Sequence, residues 1–511
     1  VEGTELAGRK RYLVAVSDVH LGTLVPTVWY QPEVHEPNLL RLLHWVRDHA
    51  EAVRELVLLG DIVELWTYPA NVVPPTFADI VDAHPNVLGP DGALAELLDV
   101  LDGAVTYVPG NHDQGVTAEE LAVVRGRATG HPLRLVEDVP YLPAPRLAVA
   151  HGHHWTLFNA PATTGPWAPL PIGYFVTRAV ATRWAADLTD GRTVADLAGQ
   201  GAPNGIDLAS LRSVVSGAGA RSVAASLLDF VAGATGLGLD LEIQMPGGGT
   251  VELTDVRHAF ADVWSEWAER EGGGLVGQTS AARAAAADFD GTGLGWFAQR
   301  LGLQHDADLV VMGHTHLPIG GLAGGAVDYL NTGFDCPSGP DLTREHDPQQ
   351  MTFGVIDLGD DGATPTGRVW AVDATGCHPI DAPTTPVVPR PLQDYSCYVT
   401  LDNGAGTSDL ELVAAEAQHG HWVVDPPDRL AAGSVARCWL QDQLGTAGSA
   451  GSVTYRRLDT GETVTVRFSC PVVGTNDCEA PGSFATRAGE EPWREERVAY
   501  WGHPLFIDAQ T

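Results

Sequence analysis

Five apolar runs along this chain each end in a cluster of residues able to bind metals. RYLVAVSDVH ends in Asp18 and His20, ELVLLGD in Asp61, and VTYVPGNHD in Asn111, His112 and Asp113. RLAVAHGHH ends in His151, His153 and His154, and DLVVMGHTH in His314 and His316. Each run is as long as a buried strand and rich in Val and Leu, as strands covered on both faces are. In open α/β sheets, ligands bind beyond the carboxyl ends of the strands. A lone Asp there is more often a helix cap, and a lone His a hydrogen-bonded core or surface residue. Packing gives a poor account of five strands that deliver His, Asp or Asn at the same end. Two metal ions held over a sheet edge give a better one. Residues i and i+2 of a strand face one side, so Asp18 and His20 are expected to reach one ion together.

The order of these motifs resembles that of the calcineurin-like metallophosphoesterase superfamily. Its D-x-H, G-D-x-x-E, G-N-H-D, H-G-H and G-H-T-H stand here as Asp18–His20, Gly60–Glu64, Gly110–Asp113, His151–His153 and Gly313–His316. The resemblance spans about 10–160 and 300–372, and VDYLNTGF is similar to the strand that follows the last motif. SDVHLG, GDIVELW and GHTHLP are similar to bacterial UDP-diacylglucosamine hydrolases, which act on a lipid-linked diphosphate. His153 departs from those enzymes, which usually carry Asp there.

The resemblance implies an α/β fold over residues 1–372, a four-layer αββα sandwich. It implies that Asp18, His20 and His316 bind a first ion, that Asn111, His151 and His314 bind a second, and that Asp61 bridges both. The mixed nitrogen and oxygen donors suit Mn, Fe, Zn or Co. Two such ions about 3.5–4 Å apart would clamp an in-line phosphoryl displacement, with a bridging hydroxide as nucleophile. By the same resemblance His112 protonates the leaving alkoxide and Asp113 orients it; a metal-ligand role for His112 is the alternative. His153 and His154 stand as substrate-binding residues, or His154 opens an ordinary loop.

At 511 residues the chain has room for two or three domains. Its net charge of −35, with Lys10 the only lysine, argues against general nucleic-acid binding, which needs clustered Lys and Arg. That counts against a nuclease. The acidity itself fits solubility, or a salt-adapted or high-G+C source. No run of eighteen apolar residues marks a transmembrane helix, and VEGTELAGRKRY lacks the apolar region of a signal peptide. The expectation is a soluble protein, secreted after processing or otherwise cytoplasmic. Cys336, Cys377, Cys397, Cys438, Cys470 and Cys478 all lie late in the chain. Their even number without C-x-x-C leans towards disulfides, with buried thiols the alternative.

About 150 residues, 156–305, separate the fourth motif from the fifth. YFVTRAVATRWAADL, LRSVVSGAGARSVAASLLDFV and DVRHAFADVWSEWAERE carry apolar residues at helical spacing, and QTSAARAAAADF opens a further helix. Thr254 is placed to cap the third. Two readings stand: helices packed on each other, or a lid with apolar surface for an acyl group. Pro379, Pro383, Pro386, Pro389 and Pro391 then mark 373–392 as an extended linker.

Residues 393–511 read as short strands split by turns, an all-β sandwich. GHWVVDPPDRLAAGSVARCW and GSAGSVTYRRLDTGETVTVRFSCPVVGTND resemble the aegerolysin family, small β-sandwich proteins that bind membrane lipids. The linker predicts that the two parts fold separately, and the resemblance implies that the sandwich delivers the enzyme to lipid; a generic sandwich that stabilises the enzyme or serves as a spacer is the alternative. The resulting expectation is a dinuclear phosphoesterase acting on a phosphate ester, with the lean towards a phosphodiester on a lipid or lipid-like substrate. Phosphomonoesterase or nucleotide pyrophosphatase activity is the alternative. A lipid-binding or lytic module on a phosphoesterase scaffold is the alternative of another class.

Overall fold

The computed structural model describes residues 6, 9–188, 191–197, 208–219, 222–288, 292–333, 351–360, 363–388, 393–443, 445–480, 485–489 and 503–511. β1 (Tyr12–Val16), α1 (Pro32–Asp48) and β2 (Val53–Leu59) open the fold. Then come α2 (Phe77–Ala83), α3 (Pro85–Leu88), α4 (Ala93–Val100), β3 (Val105–Val108) and α5 (Ala118–Leu121). β4 (Arg134–Leu135), β5 (Tyr141–Ala144) and β6 (Leu147–Val149) lead to the insertion.

The insertion holds α6 (Ile172–Asp187), α7 (Leu208–Gly217), α8 (Val223–Thr235) and the hairpin β7 (Glu242–Gln244) and β8 (Thr250–Glu252). It continues with α9 (Leu253–Ala259), α10 (Val263–Arg270), α11 (Gly274–Ala287) and α12 (Leu294–Gln304). The chain returns through β9 (Leu309–Met312), β10 (Gly321–Ala323), β11 (Asp328–Asn331), β12 (Met351–Asp357) and β13 (Thr366–Asp373). β14 (Gly376–Pro379) and β15 (Thr384–Pro386) end this part.

Seven strands form one sheet in the order β14-β13-β12-β1-β2-β3-β4, and four form a second in the order β11-β9-β6-β5. Strand alternation sends side chains to both faces. Leu13, Ala15, Val57, Leu59 and Val108 face Leu147, Val149, Leu309, Val311 and Leu330 in one buried cluster between the sheets. Val14, Val16, Leu56 and Leu58 point the other way, into a core shared with Leu39, Leu42 and Leu43 of α1. α12 packs against β6, β9 and β11 of the second sheet. This part is therefore mixed α/β, and the apolar runs of the sequence are strands buried on both faces.

The insertion is fastened to the body. Arg178 on α6 is fully buried. It donates to the carbonyls of Tyr68, Pro69 and Gln244 at 2.7–2.9 Å and to the Tyr174 hydroxyl at 2.6 Å. Carbonyl dipoles replace the water that this cation loses. The expected third helix is two, α9 and α10, broken at Phe260–Asp262. Thr254 lies inside α9 and caps nothing; its hydroxyl donates to the Leu239 carbonyl at 3.0 Å.

Beyond residue 393, β16 (Cys397–Asp402), β17 (Leu410–His419), β18 (His421–Val424), β19 (Arg429–Leu430) and β20 (Val435–Gln441) are followed by five more strands. These are β21 (Ser449–Arg457), β22 (Thr463–Cys470), β23 (Asp477–Glu479), β24 (Ala485–Gly489) and β25 (Leu505–Gln510). They make two five-stranded sheets, β18-β20-β16-β25-β24 and β19-β17-β21-β22-β23. Val399, Leu401, Leu440, Val453, Val466 and Ile507 fill the core between them. Of the five described cysteines, Cys377, Cys397, Cys438, Cys470 and Cys478, the first three are free thiols, contrary to the lean towards disulfides; Cys336 lies outside the described residues. Four of the five are buried and pack as small apolar side chains. No described helix is long and apolar enough to cross a membrane.

Within the expected linker 373–392, residues 376–379 and 384–386 are strands. β14 pairs with β13, and β15 pairs with β10. Proline is tolerated there because both are edge strands, where a missing N–H breaks no ladder. Val387 is buried beyond β15; residues 389–392 lie outside the described ones. The sandwich then docks on the insertion. Arg283 of α11 makes a bidentate pair with Asp442 at 3.0 and 3.2 Å, both side chains buried. Tyr398, Trp439 and Phe506 belong to the same apolar core as Trp296 and Leu301 of α12. Separate folding of the two parts is therefore not what the packing favours. Ending the chain at Gln393 should expose Trp296 and the neighbouring apolar side chains of α12 to water and remove the Arg283–Asp442 pair, so the remaining part should unfold at a lower temperature. Thermal unfolding of the truncated and full-length chains checks this; equal midpoints would show the sandwich to be a passive neighbour.

Candidate metal centre

All five strand ends converge. Beyond β1, Ser17 to His20 turn across the top of the sheet, and Asp18 and His20 both have left-handed backbones with φ 59° and 57°. The expected strand alternation does not bring them together, because β1 stops at Val16. Two successive excursions into the left-handed region do so instead. Asp61, His314 and His316 share that conformation, at 51°, 72° and 55°. These five are more than half of the nine non-glycine residues with positive φ among the described residues. Such backbone costs on the order of 1–3 kcal/mol per residue and clusters at functional sites.

Two glycines let the turns close. A Cβ on Gly60, which has φ +77°, would stand 2.5 Å from the His151 ring. One on Gly110 would collide with the Asp61 carboxylate.

The ligand atoms form two adjoining groups. Asp18, His20 and His316 bring their donor atoms within 4.8 Å of one another, and so do Asp61, His151 and His314. The Nε2 atoms of His20 and His316 are 3.1 Å apart, and Asp18 Oδ1 is 3.6 Å from His316. Asp61 Oδ2 stands 3.1 Å from His151 Nε2 and 3.9 Å from His20 Nε2, between the groups. Asn111 Oδ1 is buried with no hydrogen-bond partner.

Partners around these groups fix the imidazole tautomers. His151 donates its Nδ1–H to the Leu59 carbonyl at 2.8 Å, and His20 donates to Glu64 at 3.0 Å. Each thereby presents an Nε2 lone pair to the centre, as metal-binding histidines do. The donor set, the orphaned Asn111 oxygen and the fixed tautomers fit a pair of divalent ions.

The buried acids and imidazoles shift one another. Burial raises the Asp18 pKa to about 6 against the pull of His151, which marks a carboxylate short of positive charge. Burial opposes protonation of His151, but Asp61 and Asp18 outweigh it and raise its pKa to about 9. Burial and the neighbouring His151 lower His314 to about 3.

His112 lies beside the first group and is oriented by Glu64, not by Asp113. Its Nδ1 is 2.8 Å from Glu64 Oε1. Burial works against its protonation, and Glu64 and Asp61 reverse that, so its pKa is raised. Trp66 stacks on its ring at 4.3 Å, and Trp29 borders both His112 and His20. Asp113 turns inward instead. It accepts from the Gly110 N–H, from the Ile62 N–H at 2.8 Å and from the Tyr107 hydroxyl, tying one ligand loop to the next. Glu64 stood in a motif of the sequence, but nothing in one chain distinguishes a carboxylate facing His112 from one facing the backbone.

His153 is buried, its ring 5.4 Å from His151 and 6.4 Å from His314. His154 is partly exposed, 4.0 Å from His153 on the insertion side. Neither is in the two ligand groups, and both sit next to the second. Glu64→Gln should leave the fold intact and weaken metal binding by about 10–100-fold, as loss of an outer partner does. Asp113→Asn should loosen the loop and lower stability. Metal titration and thermal unfolding of the two variants separate the roles.

No family model matches the chain, and no curated protein matches it. Solved structures align over a small part of it. The lipid binding protein Nakanori is 11% identical over 23% of this chain and 71% of its own, with a TM-score of 0.19. RahU protein, in complex with a TRIS molecule, is 13% identical over 22% of this chain and 92% of its own, with a TM-score of 0.18. IP-1A from Alcaligenes faecalis is 13% identical over 23% and 90%, with a TM-score of 0.16. Likeness at this level carries no conclusion about fold or ligand.

Proposed function

We propose that the chain is a dinuclear metal-dependent hydrolase of phosphoric esters. The observation that carries this reading is the convergence of Asp18, His20, Asp61, Asn111, His151, His314 and His316 from five strand ends, with Asp61 between two donor groups. When bound, two divalent ions would polarise a phosphoryl group and activate water near neutral pH. The side chains supply the rest. His20 and His151 are held in the tautomer that faces the centre. His112, charged against Glu64 and roofed by Trp66, is the proton donor to the departing alkoxide. Its Nδ1 is engaged by Glu64, so Nε2 is the atom that gives the proton. The enclosure by Trp29 and Trp66, both buried, keeps competing water away from that proton. A scaffold without catalysis would have no use for this array, which weighs against a purely lipid-binding protein.

The narrower proposal is an ester with an apolar group, a phosphodiester on a lipid or lipid-like molecule. A recess in the insertion supports it. It is lined by Leu157, Trp167, Phe260, Val263 and Trp267, together with the polar Thr163, Thr164, Glu266 and Arg270. Turnover of nitrophenyl mono- and diesters, a nucleotide and phospholipid vesicles ranks the classes.

Purified protein should carry close to two transition-metal ions per chain, and a chelator should abolish turnover. Asp61→Ala should cost most, because it removes the shared ligand. Elemental analysis without bound metal, joined to chelator-insensitive activity, would sink the proposal. His112→Ala should keep both ions and lose roughly 10²–10⁴ in turnover. That loss should shrink for nitrophenolate, which needs little protonation. An equal loss on good and poor leaving groups would move His112 to a binding role.

A further inference from the structure

The surface on which the sandwich docks and the loops that carry the second ligand group belong to the same two helices. On α11, Arg283 holds Asp442 of the sandwich, while the carbonyl of the next residue, Ala284, accepts from the Leu157 N–H at 3.3 Å. Asp288, just past α11, accepts from the Phe158 N–H and the Asn159 amide, each at 2.9 Å. These bonds fasten the stretch that follows His153 and His154. Within it, the Thr156 hydroxyl is 2.9 Å from the His153 carbonyl and 3.4 Å from His314 Nε2.

α12 makes the same connection from the other side. Its first residue, Leu294, packs on Gly152, between His151 and His153. A Cβ at Gly152 would stand 2.8 Å from Leu294 Cδ1 and 3.3 Å from His314 Cβ. Two residues on, Trp296 meets Trp439 of the sandwich at 5.0 Å, and the Arg283 guanidinium lies 4.4 Å over the Trp296 ring. One turn further, Gln299 donates to the Tyr398 hydroxyl at 3.0 Å, which in turn donates to Asp394 at 2.6 Å. α12 then leads into β9, whose end carries His314.

We infer that the C-terminal sandwich is part of the scaffold of the metal centre: by holding α11 and α12 it positions the His151 and His314 loops, and so sets how tightly the second ion is bound. This rests on the dinuclear reading above. The effect falls mainly on the second ion. The first group is reached only through the His314 loop, by His316 and by the His314 N–H to Asp18, and is held besides by Ser17 on Asp18 and Glu64 on His20. Arg283 and Tyr398 are positioning residues that act through helices, and neither touches the centre.

The test uses the full-length chain, stripped of metal and titrated with Mn²⁺. Binding is followed by calorimetry, and the paired ions by the spin-coupled signal in electron paramagnetic resonance. Arg283→Met and Asp442→Leu should each weaken the second Mn²⁺ by about 10-fold or more, as loss of an outer support does. The first should shift less, and the coupled signal should fade. The double variant Arg283→Met/Asp442→Leu replaces a buried pair with apolar contact and should recover much of the stability and of the second ion. Tyr398→Phe removes one hydroxyl, is expected to fold even where the single pair-breaking variants do not, and should weaken the second ion by a few-fold.

Wild-type affinities for both ions in Tyr398→Phe and in any folded pair-breaking variant would overturn the inference. So would equal weakening of both ions in step with lost stability, the mark of a general buttress. A wild-type chain that binds no Mn²⁺ pair would instead overturn the dinuclear reading.

Discussion

A single buried carboxylate joins the two halves of the proposed chemistry. Glu64 is fully buried, a position that costs an anion several kcal/mol unless donors replace its water. Here four do: the Trp66 and Thr67 N–H groups and the Nδ1 atoms of His20 and His112. Burial would raise its pKa, yet His112 and His20 outweigh that and hold it at about 2. In the proposed chemistry its charge would fix one imidazole as a lone-pair donor to a cation and the other as a proton donor. The two rings stand edge to face at 4.7 Å. A change at Glu64 therefore reaches metal binding and proton transfer together, which makes it the constraint around which the neighbouring loops are arranged.

Much of this was legible in the sequence because buried strands and their polar ends leave a strong local signature. The positions of the ligand residues at strand ends, the layered α/β body and the β-rich C-terminal part follow from apolar runs, turn residues and periodicity. What failed was geometry that depends on the backbone beyond the strand. Asp18 and His20 share a side through left-handed turns, and no period-two pattern encodes those. Asp113 looked like the partner of His112 because it is adjacent in sequence. Adjacent side chains in a tight loop diverge, and the true partner comes from another strand 48 residues away.

The linker reading failed for a related reason. Proline density marks extended backbone, and edge strands are extended too. Composition cannot tell a solvated spacer from β14, which closes a hairpin on β13, or from β15, which pairs with the distant β10. The cysteines likewise announced pairing by number alone, whereas their placement on apolar strand faces decides that they serve as packing.

Burial also separates two kinds of support for the centre. Asp113, Tyr107 and the glycines act within a few ångströms, shaping loops whose conformation would otherwise relax. The insertion and the sandwich act at longer range, and their anchors are charged groups withdrawn from water: Arg178 against carbonyls, Arg283 against Asp442. Each anchor is expensive to break on one side and holds its partner in one orientation, as a planar guanidinium does and a lysine ammonium would not. In a chain with one lysine, arginine carries that role throughout. An insertion clamped at α6 and backed by a second domain at α11 and α12 behaves as a fixed wall at those points. Any opening needed to admit a substrate is then left to stretches outside the anchors, among them α9 and α10 with the loop from Ala160 to Pro171, which also line the recess in the insertion.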